Sequence, residues 1–286
     1  MGLSNGVDEY GTIERIDAFC DAVPRRRTRT ETIGPLVLFV PTGSGWPYYA
    51  RPQRHKGHWF SGRGSRRTIT SEDIRAVRAR QRELLIPESF EWIDEAAPEM
   101  TAAAPGAGLA VRAHPLMVLG TLTLPEVTEP GISVRVISPE EPDLDRVWAV
   151  PAVAFEHPGT ATGLAGAIER DKLAAEHDEG TMDLLRERLR SGQSVLAAAF
   201  DSDGPLGAGS CQAVASVAEI TGVGVLPSAR RMGLGGAVTA TLAADARQRG
   251  VQTVFLAASD DDVARVYARL GFRRIGTAMI AEPDAS

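Results

Sequence analysis

The chain has only two cysteines in 286 residues, Cys20 and Cys211, and no Cys-x-x-Cys pair. That excludes a disulfide framework and a cysteine zinc motif, and it fits a reducing compartment. Long apolar runs are also missing: none reaches the ~18 residues that a membrane-spanning helix needs. The N-terminal segment contains Glu9, Glu14 and Asp17 and no apolar core run, so no secretory signal is expected and a cytoplasmic protein is the default. Positive charge is not in excess. The 31 basic residues against 37 acidic ones give a net charge of −6, which argues against general nucleic-acid binding and mildly favours cationic partners. His55 and His58 form His-x-x-His with no cysteine or clear carboxylate set beside them, so no metal site is expected. No Ser-His-Asp set and no nucleophilic cysteine can be assigned.

What is present is concentrated in one stretch, Val223-Gly-Val-Leu-Pro-Ser-Ala-Arg-Arg-Met-Gly-Leu-Gly-Gly236. It reads as a short strand, a proline stop and a glycine-rich turn that opens a helix. Such a turn points several unpaired backbone N–H groups at one place, and the helix dipole adds to them, so the place suits an anion such as phosphate. A dinucleotide fingerprint needs a third glycine where Val238 stands. No Gly-x-x-x-x-Gly-Lys-Ser/Thr run exists either.

Val223, Val225, Pro227, Arg230, Gly233 and Gly235 resemble, in register, motif A of the GNAT superfamily of N-acetyltransferases. The resemblance implies a GNAT fold in the C-terminal half: an α/β domain with a mixed, mostly antiparallel sheet flanked by helices. It also implies acetyl-CoA as acyl donor. The turn residues Arg230, Arg231, Met232, Gly233, Leu234, Gly235 and Gly236 would hold its pyrophosphate. The backbone of Val223, Gly224 and Val225 would hold its pantetheine arm, in a gap where this strand splays from the next.

The order of elements agrees with that resemblance over about 131–282. Ile132 to Val136 alternates as a half-buried strand does, and helical segments fill much of 143–191, interrupted near Pro158 to Gly163. Strands are predicted at 194–200, 208–216 and 218–225, with a turn at Asp201 to Gly204. Leu234, Val238, Leu242 and Ala246 give a helical stripe ended by Gly250. A strand at 251–257, a helix with Ser259 and Asp262 as a capping-box pair, and a strand at 272–281 close the chain.

The first half is plainer. Residues 1–33 read as a loose polar arm, Pro35 to Val40 as a buried strand, and Trp46 to Tyr49 as an aromatic segment. The basic run 51–67 reads either as an anion patch or, preferably, as a solvated loop. A helix from an N-cap at Ser71, a strand at Phe90 to Ile93, an alanine-rich helix to Gly108 and a strand at Pro115 to Leu119 follow. Leu124 to Gly131, with two prolines and a glycine, reads as a linker, which divides the chain into 1–125 and 131–286. Shifting the sequence by 163 places Phe90–Ile93 on Thr253–Leu256 and the helix from Ser71 on the helix from Leu234. The N-terminal domain is then a degenerate GNAT-like copy, or the run of elements is coincidental. At that shift Gly233 falls on Thr70, Gly235 on Glu72 and Tyr267 on Ala104, so such a copy would bind no coenzyme.

Acetyl transfer to an amine needs proton movements. A lysine-like amine of pKa ~10.4 is neutral in roughly one molecule in a thousand at pH 7, so a base must take its proton. Glu219, at the start of the strand that would splay, is flanked by Ala218 and Ile220. Burial there would raise its pKa, and the resemblance implies a catalytic glutamate at this place. An exposed carboxylate or an ion pair is the plain alternative. Tyr267 lies in Val-Tyr-Ala-Arg-Leu-Gly-Phe272, which resembles the family's Leu-Tyr-x-x-x-Gly-Phe segment and implies a general acid for the departing thiolate. Where the family often has asparagine, this chain has Asp260, which equally suits a helix N-terminus. The expected function is acetyl transfer to a primary amine of a small molecule or peptide, by direct attack in a ternary complex. A non-catalytic acetyl-CoA-binding sensor is the alternative. A homo-oligomer is compatible with the sequence.

Overall fold

The protein is represented by a computed structural model that describes residues 4–42, 49–54, 68–123 and 130–284. Its elements in chain order begin with α1 (Ser4–Arg25), β1 (Thr28–Ile33), β2 (Leu36–Pro41), β3 (Ala50–Pro52), α2 (Ser71–Glu83), β4 (Phe90–Ile93), α3 (Pro98–Ala103) and β5 (Ala110–Leu119). They continue with β6 (Ser133–Val136), α4 (Leu144–Glu156), α5 (Ala167–Ala175), α6 (Glu179–Arg190), β7 (Val195–Asp201), β8 (Gly204–Val214), β9 (Val217–Val225), α7 (Leu234–Gln248), β10 (Thr253–Ala257), α8 (Asp261–Ala268) and β11 (Phe272–Glu282). Trp46, His55, His58 and residues 124–129 of the expected linker lie outside the described residues. Among the described residues no helix is long and apolar enough to cross a membrane.

Two compact units result: Met1–Leu116 with Ile275–Ser286, and Met117–Arg274. The expected division at 125–131 differs from this one chiefly in β11. That strand pairs antiparallel with β4, Ala278 opposite Ile93 and Ala281 opposite Phe90, and so its later residues enter the first unit.

In the first unit β1, β2 and β3 are antiparallel and β3 is parallel to β4. The expected loose arm is instead the 22-residue helix α1 followed by β1. Ile13, Ile16 and Phe19 are buried at helical spacing, but Thr12 and Asp17 are buried among them. Those polar members interrupt the apolar period that would have betrayed the helix. Asp17 is there because it pairs with the buried Arg51 on β3 and with Arg54 at 2.8 Å. These two arginines of the basic run are therefore not free for an anion, since tertiary folding brings them a carboxylate from far upstream, 34 residues from Arg51. The N-cap of α2 is Thr70, one residue before the one expected; the Ser71 hydroxyl donates instead to Ala103 O at 2.7 Å.

In the second unit β6, β7, β8 and β9 run antiparallel and β10 is parallel to β9. Val195 to Phe200 is buried without interruption, as a strand covered on both faces must be. The predicted stripe Leu234, Val238, Leu242 and Ala246 of α7 is buried in the same core. So are Leu144, Val147, Val150 and Val153 of α4. Each large aliphatic side chain so covered contributes about 1.5–3 kcal/mol. Arg170 of α5 is fully buried and donates to Pro205 O at 2.8 Å, to Asp203 O at 3.1 Å and to Asp171 at 2.7 Å. It fastens α5 to the turn between β7 and β8.

The 163-residue shift holds from α2 to α3. Ser71 and Leu234 begin α2 and α7, Phe90 and Thr253 begin β4 and β10, and Pro98 and Asp261 begin α3 and α8. Gly108 and Gly271, again that far apart, both take left-handed backbone, φ 76° and 96°.

Candidate functional site

The turn after β9 is built from backbone. Leu226 N–H bonds Leu206 O at 2.9 Å, Pro227–Ala229 forms one tight helical turn, and Arg231 and Gly233 are left-handed at φ 72° and 77°. A non-glycine residue there costs on the order of 1 kcal/mol, and such strain concentrates at functional turns. Gly233 is the N-cap of α7 and has no side chain to cap it. The first bond inside the helix runs from Ala237 N–H to Gly233 O at 3.0 Å. The amides of Leu234, Gly235 and Gly236 thus have no partner within the helix, and they stand at its positive end. Leu234 is buried and Met232 packs against the core, so these two contribute backbone here and fix the turn by their side chains.

Helix α2, at the matching place in the first half, is closed. Thr70 accepts from the Asp73 amide, and Asp73 accepts from the Thr70 amide. Glu72 adds a second negative charge in that first turn. An anion would find its donors taken and its field opposed.

Strand β9 supplies the next part. Its pairs with β10 are Val217–Thr253, Ala218–Val254 and Glu219–Phe255, whereas its pairs with β8 continue to Val225 opposite Gly207. From Ile220 onward the β10 side of β9 is unpaired, which is the splay that the resemblance implied. Between Ala208 and Ser210 of β8 the register with β9 shifts, and Gly222 there has φ 63°. This is a β-bulge with its glycine in the left-handed region. Gly224 has a different reason. A Cβ on it would lie 2.8 Å from Ala154 Cβ and 2.8 Å from Pro151 Cα, so it is glycine to let α4 approach. Val223 and Val225 are half-buried on the unpaired stretch.

Glu219 is the last residue before the splay. Its carboxylate has no hydrogen-bond or ion-pair partner among the described residues, and burial pushes its pKa up from 4.5 to about 7. Tyr267, on α8, is half-buried against the core and tilted against Phe272 with ring centroids 6.0 Å apart. Burial raises its pKa to about 12, and the nearby Thr239 hydroxyl opposes that rise. Thr239 donates to Gly235 O at 2.8 Å. Asp260, not Ser259, is the N-cap of α8, with Oδ1 accepting from Val263 N–H at 2.8 Å. That bond lowers its pKa, and it accounts for the residue without a ligand.

Arg230 departs from expectation in its partners. Its guanidinium donates to Val225 O (3.3 Å), Ala161 O (3.0 Å), Ala154 O (3.0 Å) and His157 O (2.5 Å). No carboxylate accompanies it among the described residues, and burial lowers its pKa. Sequence reasoning missed these bonds, because a backbone carbonyl leaves no mark in the residue pattern. Arg231 beside it is exposed.

Comparison with known proteins agrees with this geometry. Residues 164–272 match the family model of the acetyltransferase (GNAT) family. No curated protein matches the chain. Among solved structures, a GCN5-related N-acetyltransferase from Kribbella flavida is similar over 96% of this chain and 96% of its own, at 20% identity and TM-score 0.66. A tandem GNAT protein from the clavulanic acid biosynthesis pathway is similar over 88% of this chain and 79% of its own, at 18% identity and TM-score 0.51. A functionally unknown conserved protein from Staphylococcus epidermidis is similar over 91% and 94%, at 15% identity and TM-score 0.51. At these identities the likeness speaks to the fold, which is the GNAT fold.

Proposed function

Since the second half of this chain carries a GNAT-family acetyltransferase domain, we propose that it moves an acetyl group from acetyl-CoA to a primary amine of a small molecule or peptide. The observation that carries this reading is the uncapped N-terminus of α7 beside the splayed end of β9. The residues present fit the coenzyme. The amides of Leu234, Gly235 and Gly236 would hold its pyrophosphate, and Arg231 is exposed beside them. The open edge of β9 at Val223 and Val225 would take the pantetheine amides as an added strand does. When bound, acetyl-CoA supplies the acetyl group as a thioester.

The chain's own residues manage the protons. Glu219, with a pKa of about 7 and no competing partner, takes the proton of the incoming ammonium, directly or through water. Backbone N–H groups of β9 polarise the carbonyl under attack. Tyr267, protonated up to a pKa of about 12, keeps a proton at Oη for the departing thiolate. Holding both substrates in one site supplies the rest by orientation.

The test is calorimetric titration with acetyl-CoA beside NAD and ATP, followed by release of free thiol as amines are added. Selective binding with amine-dependent thiol release supports the enzyme. Binding without release on any amine favours a sensor, and no binding removes the reading.

A further inference from the structure

The arginine of the turn spends its donors away from the turn. Three of the four carbonyls that it holds, those of Ala154, His157 and Ala161, belong to the end of α4 and the segment that follows. The same segment meets the turn twice more: Gly163 N–H bonds Pro227 O at 3.1 Å, and Ser228 N–H bonds Ala165 O at 3.0 Å. Both joints are close. A Cβ on Gly163 would lie 3.1 Å from Pro227 Cβ, and one on Gly166 would lie 2.6 Å from Ser228 Oγ. Immediately before this segment α4 crosses β9 at Gly224, within its unpaired stretch.

The charge is as telling as the bonds. Carbonyls can hold a guanidinium but cannot neutralise it, and Arg230 has no carboxylate among the described residues. A half-buried cation without a counter-ion is costly, and a nearby anion repays part of that cost. Arg230 lies three residues before Gly233, the uncapped end of α7.

We propose that the Arg230 side chain is a positioning residue: it latches residues 154–166 to the anion-binding turn, and an anion at that turn tightens the latch. The side chain thus sets the wall beside the splayed strand, on the acceptor's side, and leaves coenzyme holding to the backbone amides. The second clause rests on the function proposed above; the latch itself does not.

The amides of Gly163 and Ser228 report the joint directly. Residue-resolved hydrogen exchange on the full chain, with and without acetyl-CoA, is compared among wild type, Arg230→Lys and Arg230→Gln. The paired amides of β7 and β8 serve as the control for global folding. A lysine keeps the charge but cannot present a planar fork to several carbonyls. The expected result is at least tenfold faster exchange at Gly163 and Ser228 in both variants, with the control amides unchanged. Acetyl-CoA slows both amides at least threefold in wild type and not in Arg230→Gln. Calorimetry on Arg230→Lys keeps the acetyl-CoA affinity within about threefold of wild type. Unchanged protection of the two amides in both variants overturns the latch. So does a hundredfold loss of acetyl-CoA affinity in Arg230→Lys with the amides still protected, which would make the arginine a phosphate ligand. If Arg230→Gln also loses the control amides, Arg230→Lys carries the comparison. If wild type binds no acetyl-CoA, the proposed function fails, while the exchange data without ligand still decide the latch.

Discussion

Glu219 and Phe255 are the last residues that join β9 to β10. One residue further the two strands part, while β9 stays beside β8 through Val225, interrupted only by the bulge at Gly222. Burial at this place raises the pKa of the Glu219 carboxylate.

That pKa has a measurable consequence for stability. Folded Glu219 holds its proton up to about pH 7, whereas the unfolded chain releases it near 4.5. The unfolded state therefore gains free energy by ionising first, and stability falls as pH rises between these values, then levels. Glu219→Gln carries no such loss. Urea unfolding should find it roughly 1–3 kcal/mol more stable than wild type at pH 8 and equal to it at pH 4. A variant less stable at pH 8 would mean that the carboxylate is held by an interaction other than those described.

The same variant should lose activity as it gains stability. With an amine acceptor that supports thiol release, Glu219→Gln should lower kcat by about 100-fold or more, the usual worth of a positioned base. In wild type kcat/KM should rise with pH through about 7, as Glu219 ionises. A wild-type profile flat between pH 6 and 8 would assign the base elsewhere.

Tyr267→Phe removes one hydroxyl from a half-buried ring whose packing against Phe272 is kept. Turnover should fall by about 10- to 100-fold with the acetyl-CoA affinity nearly intact. Because the hydroxyl stays protonated to about pH 12, the tyrosine itself should add no alkaline limb below pH 10. Equal turnover in the two proteins would end its assignment as the acid.

Gly235 separates shape from charge. A Cβ there would lie 3.5 Å from Val225 Cγ2, an ordinary contact, so Gly235→Ala should fold as wild type does. Gly235→Glu should fold too, but it places an anion at the positive end of α7. Calorimetry should find at least a hundredfold loss of acetyl-CoA affinity. Undiminished affinity in the glutamate variant would move the coenzyme site away from this turn.

Gly271 tests the fold alone. It has φ 96°, and a Cβ on it would lie 1.9 Å from Thr121 O. Gly271→Ala must therefore shift backbone, at a cost of about 2–4 kcal/mol. Thermal unfolding well below wild type is expected, and an unchanged midpoint would contradict the close approach.

Much of this was legible in the residues. The glycine turn, the α7 stripe and the order of strands and helices from 132 onward follow from local preference and periodicity, which act over a few neighbours. The shift of 163 residues was also readable, and with it Glu72 in the first turn of α2, but not that Thr70 and Asp73 close that helix end. The helix α1 was not legible, because its buried stripe contains Asp17. The need for an acid there arises from Arg51, which is far away in sequence. Nor was the reason for Gly224, a glycine inside a strand, where a Cβ would meet Ala154 and Pro151 of α4.

What the sequence by itself determined is the set of local instructions: where the chain turns, which helix end is left open, and which strands are buried on both faces. Only the tertiary structure decided that β11 closes the first unit, that β9 parts from β10 at Glu219, and that Arg230 grips the carbonyls of a segment some 70 residues away. The physical reason is the same in each case. Hydrogen bonds between backbone groups carry no residue signature, and the environment of a charge is set by whatever folding brings beside it.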